Sequence, residues 1–457
     1  MYITGIIIAI HFIIAAAYFL VKKYHPQGVL LIAGLLMIAL SSLLGINNTS
    51  GVSESTGSSF FDLYKLIQES MIGRLSGVGL MIMSIGGFVA YMKKIGASEA
   101  LVYISMQPLS VFKKYPYLAS ILVIPIGQIL FICTPSATGL GLLLVASIYP
   151  VLVGLGVSRL TAVSVISACT VFDMGPASAN TARAAELIGK SNVAYFLEDQ
   201  LPLTIPLTIL LMVVYFFSNR YFDRKESQAE RKMETSEFKT NTPLIYAILP
   251  VMPLILLIVF SRFIELFPDN PIILDTTTAI FISLSIGFLF EIIRTRNVKE
   301  VFASLKIFWE GMGKVFATVI TLIVAAEIFS TGLISLGFID GLVDLSQHLG
   351  FGAIGIGVLM TVIIFLASML MGSGNASFFS FGPLVPDIAK KMGANPAEMI
   401  LPMQLSSSMG RATSPIAGII VAISEIAGVS SFDLAKRNFI PLVSALLFML
   451  AYHFLII

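Results

Sequence analysis

The chain has 457 residues, 57% of them apolar and only 12% charged, with a mean hydropathy of +0.93. A soluble globular domain carries about a quarter of its residues as charges, so this composition excludes one and points to a polytopic membrane protein. The net charge of +2, four scattered histidines (His11, His25, His348, His453) and two cysteines in apolar runs (Cys133, Cys169) give no sign of a nucleic-acid surface, a metal centre or a disulfide framework.

A helix needs about 20 apolar residues to cross a bilayer. On that measure crossings are expected near 3–21, 28–46, 74–92, 160–188, 202–218, 244–261, 272–293, 313–331, 397–427 and 438–456. Residues 1–21 read as a retained first span rather than a signal peptide, because Lys22 and Lys23 follow the apolar stretch instead of preceding it. Two further pairs of apolar arms, 117–133 with 139–155 and 353–371 with 376–389, are each joined by a handful of small or polar residues. Each pair reads as a re-entrant hairpin, whose non-helical tip is tolerated at depth only where protein or a wet cavity satisfies its backbone. Two ordinary spans with a tight surface turn are the alternative. The polar stretch 219–242 reads as a cytoplasmic linker between a first half, 1–218, and a second, 243–457.

The basic residues support this order. Lys22, Lys23, Lys93, Lys94, Lys113, Lys114, Arg159, Arg294, Arg296, Lys299, Lys306, Lys436 and Arg437 collect on the linker side, whereas the other side keeps Lys65, Lys190 and Arg262. Positive charge accumulates inside, so both termini are expected outside. The stretches "FFDLYKLIQESM" and "VFASLKIFWEGM" have the spacing of amphipathic helices lying at the two interfaces.

The halves repeat one another. "MGPAS" at Met174–Ser178 recurs as "MGRATSP" at Met409–Pro415, and Glu186, Gly189 and Pro202 match Glu425, Gly428 and Pro441 at one offset. "ESMIGR" from Glu69 resembles "EGMGK" from Glu310. Helix packing in lipid favours recurring small residues, but it does not repeat polar clusters, prolines and glutamates in the same order. Each half holds five crossings plus a hairpin that contributes none, so the second copy inserts upside down. The expected fold is an all-α membrane protein of two inverted-topology repeats, with scaffold helices at 1–92 and 244–331, hairpins at 117–155 and 353–389, and broken helices at 160–188 and 397–427. Such repeats place a substrate site where the broken helices meet near the bilayer midplane.

Four polar clusters are expected to converge there: the tips Thr134–Gly139 and Gly372–Ser377, and the breaks "DMGPASANT" and "SSSMGRATSP". Pro176 and Pro415 interrupt the crossings that contain them. A half-helix that follows a break offers unpaired amides and a positive dipole end to an anion, and the preceding one offers carbonyls to a cation. Ser136, Thr138, Ser178, Asn180, Ser373, Asn375, Thr413 and Ser414, with the small residues Ala137, Gly139, Gly374 and Ala376, would line a carboxylate site. Arg411 is the one basic residue within either break, suited to a bidentate carboxylate pair, or to a structural pair with Asp173 or Glu425. Asp173, with Thr134, Ser377 and Ser408 and the intramembrane Glu327, is the candidate for a coupling sodium ion or proton. Asp173 is read equally well as a paired charge holding the break. Arg183 would snorkel or line the pathway, and Glu186 and Glu425 would be solvated or structural near their helix ends.

"SATGLG" at Ser136–Gly141, "GSGNA" at Gly372–Ala376, "GFVAYMKKIGA" at Gly87–Ala97 and Gly410-Arg411 followed by Ser414-Pro415 resemble the DcuC family of anaerobic C4-dicarboxylate carriers, over nearly the whole chain. The resemblance implies a secondary transporter of the bacterial inner membrane, carrying succinate outward or in exchange for fumarate or malate with proton or sodium coupling. It also implies an elevator mechanism in a homodimer, with Ser136, Thr138, Ser178, Ser373, Gly374, Asn375, Arg411, Thr413 and Ser414 lining the site. One departure matters. Pro176-Ala177-Ser178-Ala179-Asn180 stands where those carriers read Pro-Thr-Ser-Gly-Asp, Arg183 replaces an apolar residue, and Asp173 stands in place of an aliphatic one. Another organic anion or an amino acid as cargo, or cation/proton antiport through Asp173 and Glu327, therefore stays open. With no histidine near a break and no filter-like ring, an intramembrane enzyme and a channel are disfavoured. No cofactor beyond a coupling ion is expected.

Overall fold

The structure is a computed structural model that describes residues 2–46, 52–107, 115–225, 242–260, 272–348, 350 and 352–455. Lys113, Lys114, Arg262 and residues 226–241 of the expected linker lie outside them. The described residues are helical and contain no strand. Among them, nine helices or fused helical segments are long and apolar enough to cross a membrane.

The first half comprises α1 (Tyr2–Val21), α2 (Pro26–Leu43), α3 (Ser59–Arg74), α4 (Leu80–Lys94), α5 (Ala97–Met106), α6 (Pro116–Cys133), α7 (Ala137–Ser147), α8 (Tyr149–Gly154), α9 (Arg159–Ala168), α10 (Ala179–Ile188), α11 (Asn192–Ala194) and α12 (Leu201–Lys225). The second half comprises α13 (Met252–Val259), α14 (Thr276–Thr295), α15 (Val298–Ser304), α16 (Lys306–Val315), α17 (Thr321–Ser335), α18 (Phe338–His348), α19 (Ala353–Met371), α20 (Gly374–Phe381), α21 (Val385–Met392), α22 (Pro396–Ala412), α23 (Gly418–Ala427) and α24 (Ser431–Leu455). The order of elements is the same twice. In each half a helix expected at the interface passes through a π turn, residues 75–79 or 316–320, into an apolar helix. A short helix, a hairpin, two half-helices and a long final helix follow.

The expected crossing at 244–261 is not a uniform helix. Residues Leu244–Val251 wind as a 3-10 helix before α13, because Pro250 and Pro253 remove amide donors from the run. At the centre of the fold the halves interlock through small residues. A methyl group added at Gly34 of α2 would lie 2.6 Å from the Ile328 backbone of α17, and one at Gly87 of α4 would lie 2.6 Å from Phe308 O of α16. Backbones in lipid approach this closely only where side chains are absent.

Arg437 does not contribute to an exposed positive rim. It is buried at the start of α24 and pairs through Nη1 with Asp223 of α12 at 2.8 Å, while Asp223 accepts the hydroxyls of Ser158 and Thr161 from α9. A charge inside the fold requires such a partner.

Candidate functional site

α9 stops at Ala168, and residues 169–178 run without α-helix before α10. Gly175, with Pro176 behind it, holds φ +100°, and a side chain there would meet Ile132 of α6 at 2.7 Å. That conformation and that contact both demand glycine. Ser178 caps α10, accepting the amides of Asn180 at 3.1 Å and Thr181 at 3.2 Å. Its hydroxyl donates to Asp173 Oδ1 at 2.7 Å, and Asn180 Nδ2 donates to Asp173 Oδ2 at 3.0 Å. The break folds inward on its own carboxylate, both oxygens of Asp173 accepting from side chains of the following helix start. Asn180 Oδ1 is buried and has no partner.

Two glutamines that the sequence reading overlooks fasten this segment. Gln200, in the π turn 195–200 that leads into α12, accepts the Gly175 amide at 3.1 Å. Its amide nitrogen donates to Thr181 Oγ1 and to Gln404 Oε1, both at 2.9 Å. Gln404, on α22, donates in turn to the Asp173 carbonyl at 2.5 Å. Each glutamine is a lone amide in an apolar span near a Leu-Pro pair, a signal that could have marked both.

The second break is confined to residues 413–417, because Ser406–Ala412 of the expected break continue α22, with Arg411 in its last turn; it is also less satisfied. Ala417 caps α23 with no side-chain acceptor. Ser408 Oγ, Ser414 Oγ and Arg411 Nε are buried without partners. Arg411 makes neither of the expected structural pairs: no carboxylate of Asp173 or Glu425 reaches it within ion-pair distance, and its Nη2 donates to the Thr170 carbonyl of the first break at 2.6 Å. Buried polar groups are nearly always bonded, so this concentration of free donors signals a missing partner.

The hairpin tips close around this segment. Ser136 caps α7 through the Gly139 amide at 3.3 Å, and Ser373 caps α20 through the Ala376 amide at 3.2 Å. A methyl group at Gly418 would lie 3.7 Å from Thr138 Oγ1, and one at Gly372 would lie 3.1 Å from the Ala417 backbone. Both tips therefore converge on residues 416–418. Behind the second tip, a methyl group at Gly374 would lie 2.9 Å from Ser407 O, and one at Gly410 would lie 2.2 Å from Phe365 O. Asn438 of α24 ties the preceding half-helices together, donating to Ser167 Oγ at 2.8 Å and Ala412 O at 2.9 Å.

Ser136, Ala137, Thr138, Gly139, Asp173, Ser178, Asn180, Ser373, Gly374, Asn375, Ala376, Ser408, Arg411, Thr413 and Ser414 thus belong to one neighbourhood, into which the amino ends of α7, α10, α20 and α23 open. Thr134, Ser377 and Thr413 spend their protons on carbonyls of their own helices, Leu130, Gly374 and Gly410. Glu327 lies apart, held by Arg74 in a two-bond pair at 2.5 and 2.6 Å. Arg183 is 1% exposed and, instead of snorkelling, donates to Glu186 at 2.5 Å. Glu186 also accepts from Arg74, so it is not free in solvent. Both cysteines are unpaired and buried.

The family model described as C4-dicarboxylate anaerobic carrier, DcuC, matches residues 4–457. A Vibrio cholerae protein named "Probable anaerobic C4-dicarboxylate transporter DcuC" is 36% identical, the match covering 94% of this chain and 93% of that one. The "Anaerobic C4-dicarboxylate transporter DcuC" of Escherichia coli K12 is 32% identical, covering 96% of this chain and 94% of that one. Among solved structures, Neisseria gonorrhoeae MtrF, whose structure report describes a class of antimetabolite efflux pumps, superposes with a TM-score of 0.66 at 13% identity, covering 94% of this chain and 96% of that one. At that identity the likeness speaks for the fold alone.

Proposed function

Because the chain belongs to the DcuC family of C4-dicarboxylate anaerobic carriers, a family of transporters and not of enzymes, we propose that it is an ion-coupled secondary carrier of C4-dicarboxylates. The observation that carries this reading is the set of unpartnered donors at the second break: Arg411 Nε, Ser408 Oγ and Ser414 Oγ, beside the uncapped amino end of α23. One carboxylate of the substrate takes up these donors, as helix amino ends and a guanidinium fork favour. The capped amino ends of α7 and α20, with Thr138 and Asn375, face the remainder of the molecule.

The coupling ion belongs to the other break. Asn180 Oδ1 is an acceptor without a donor, next to a carboxylate; a cation or a proton suits that pair. Thr134 and Ser377 supply further oxygens, Ser408 being engaged by the substrate, and Glu327, bound to Arg74, takes no part. This acceptor also supports a second reading, cation/proton antiport without an organic anion.

The two halves insert in opposite senses, with both termini outside the inner membrane and α6–α7 and α19–α20 as re-entrant hairpins. Hairpins, half-helices, α12 and α24 form a unit that slides as an elevator against a scaffold of α1–α4 and α13–α17, in a homodimer, and succinate leaves the cell alone or in exchange for fumarate or malate. Counterflow of labelled succinate in proteoliposomes, competed by fumarate, malate, aspartate, citrate and lactate with and without sodium, tests the proposal. Competition by the four-carbon diacids supports it; failure of all of them to compete removes it. Sodium-driven proton flux that survives Arg411→Ala, in the absence of any succinate counterflow, would favour antiport.

A further inference from the structure

Four charges away from the site form one alternating chain across two helical groups. Glu327 of α17 binds Arg74 through two bonds, at 2.6 Å to Nε and 2.5 Å to Nη2. Arg74 Nη1 also binds Glu186 of α10. Glu186 binds Arg183, one turn earlier on its own helix, at 2.5 Å. The order is therefore minus, plus, minus, plus. Arg74 ends α3 where the chain turns through the π segment and kinks at Gly77, whose φ of −96° and ψ of −115° are not helical. α17 is packed on α2 through Gly34 and Gly332, whereas α10 continues from the first break.

We propose that the Arg74–Glu186 bond is a latch that holds the helix and hairpin unit in this position against the scaffold, and that it is built to open without stranding a charge. This rests on the elevator reading above. Cutting the chain at its middle bond leaves Glu327 with Arg74 on one side and Glu186 with Arg183 on the other. Each pair is neutral, and each remains bonded within its own group. Cutting at either other bond would leave a lone ion at a partly buried position, the costlier outcome in a low dielectric. Arg183 makes the arrangement necessary: it is 1% exposed, and among the described residues Glu186 is its one ion-pair partner. Of the outer bonds, that between Glu327 and Arg74 is bidentate, and that between Arg183 and Glu186 lies within one helix. The latch touches neither Arg411 nor Asp173, so it governs passage between positions and not affinity.

The test uses the full chain with a reporter at another contact between the same groups. Asn192 Nδ2, just beyond α10, lies 3.1 Å from Met81 Sδ of α4. The pair Met81→Cys with Asn192→Cys should form a disulfide under copper phenanthroline, while protein holding only the buried Cys133 and Cys169 should not. Two double variants each remove one neutral pair whole and leave the other intact: Arg74→Gln with Glu327→Gln, and Arg183→Gln with Glu186→Gln. Both should slow disulfide formation by about 2- to 5-fold, the weight of one partly exposed ion pair, with thermal unfolding close to the parent's. Glu186→Gln alone should unfold earlier than either double variant, because it leaves Arg183 without a counter-charge. Unchanged cross-linking in both double variants would overturn the latch. The elevator reading is judged separately on the parent: if the cross-linked reporter protein still carries out succinate counterflow at the uncross-linked rate, the sliding fails, whatever the latch variants do.

Discussion

The two breaks occupy the same place in the repeated order of elements, yet one is closed on itself and the other is open. At the first, residues 169–178, Ser178 caps the following helix, Asp173 accepts two side chains, and Gln200 and Gln404 bind the exposed backbone. At the second, residues 413–417, the cap is Ala417, and Ser414 and, in the last turns of α22 just before it, Ser408 and Arg411 keep atoms without partners. Equivalent positions in the repeated order of elements are thus satisfied differently. The first break bonds most of its own polar groups; the second leaves donors bare, which is what the proposed substrate would bond. What remains free is also opposite in kind, an acceptor on Asn180 and donors on Arg411.

Removing Arg411 attacks this comparison most strongly. Arg411→Ala should lower succinate counterflow by about 100-fold, in keeping with losing one partner of a desolvated charge pair, and Arg411→Lys should not restore it, since a point charge cannot reproduce the planar fork. A variant that retains near-parental counterflow would remove the second break from the substrate site. Next comes the closed side. Gln404→Leu strips the Asp173 carbonyl and Gln200 of a partner at once and should cost about 1–3 kcal/mol of stability, read as earlier thermal unfolding in detergent. Unchanged unfolding would mean that the first break does not depend on its fasteners.

A matched pair of serines sharpens the contrast further. Ser178→Ala removes a helix cap and should destabilise the fold by about 1 kcal/mol. Ser414→Ala removes a hydroxyl that bonds nothing in the fold and should leave unfolding unmoved while raising the half-saturating succinate concentration about 5-fold, the effect of one lost hydrogen bond. Equal effects of the two on unfolding would erase the distinction. The smallest effect lies at the interface, away from both breaks. The Thr56 amide and the hydroxyls of Ser55 and Thr56 hold the Asp62 carboxyl below its ordinary value. A depressed acid stabilises above its unfolded-state value and loses that contribution as pH falls through its folded one. Hydrogen exchange of residues 53–58, corrected for intrinsic rate, should therefore rise only below about pH 4. A rise already at pH 6 would contradict that pairing.

Much of this was written in one dimension. Apolar runs located the helices, the order of polar clusters followed the repeated order of elements, and Arg411, read as lying inside a break, ends the helix before it. What stayed hidden is pairing over distance. Glu327 reads as a lone acid in an apolar span until Arg74, 253 positions away, is folded against it. Arg437 counts as a rim charge until Asp223, 214 positions away, takes it inside. Gln200 and Gln404 carry no motif, because an amide's value here lies in which carbonyl it meets, and that is decided by two helices from different halves. Nor does composition tell a satisfied serine from a bare one: Ser178 and Ser414 differ only in their neighbours.

The near-contact of backbones at Gly374 with Ser407 and at Gly410 with Phe365 has a thermodynamic corollary. With no side chain between them, the second hairpin and α22 lie backbone to backbone, a packing that favours their moving as one body. A cargo clasped by both would then travel in an unaltered grip and be held equally tightly whichever side it faces. Net accumulation or expulsion would in that case owe nothing to a change of affinity, and would be driven wholly by the gradient of the co-travelling ion or of the exchanged diacid.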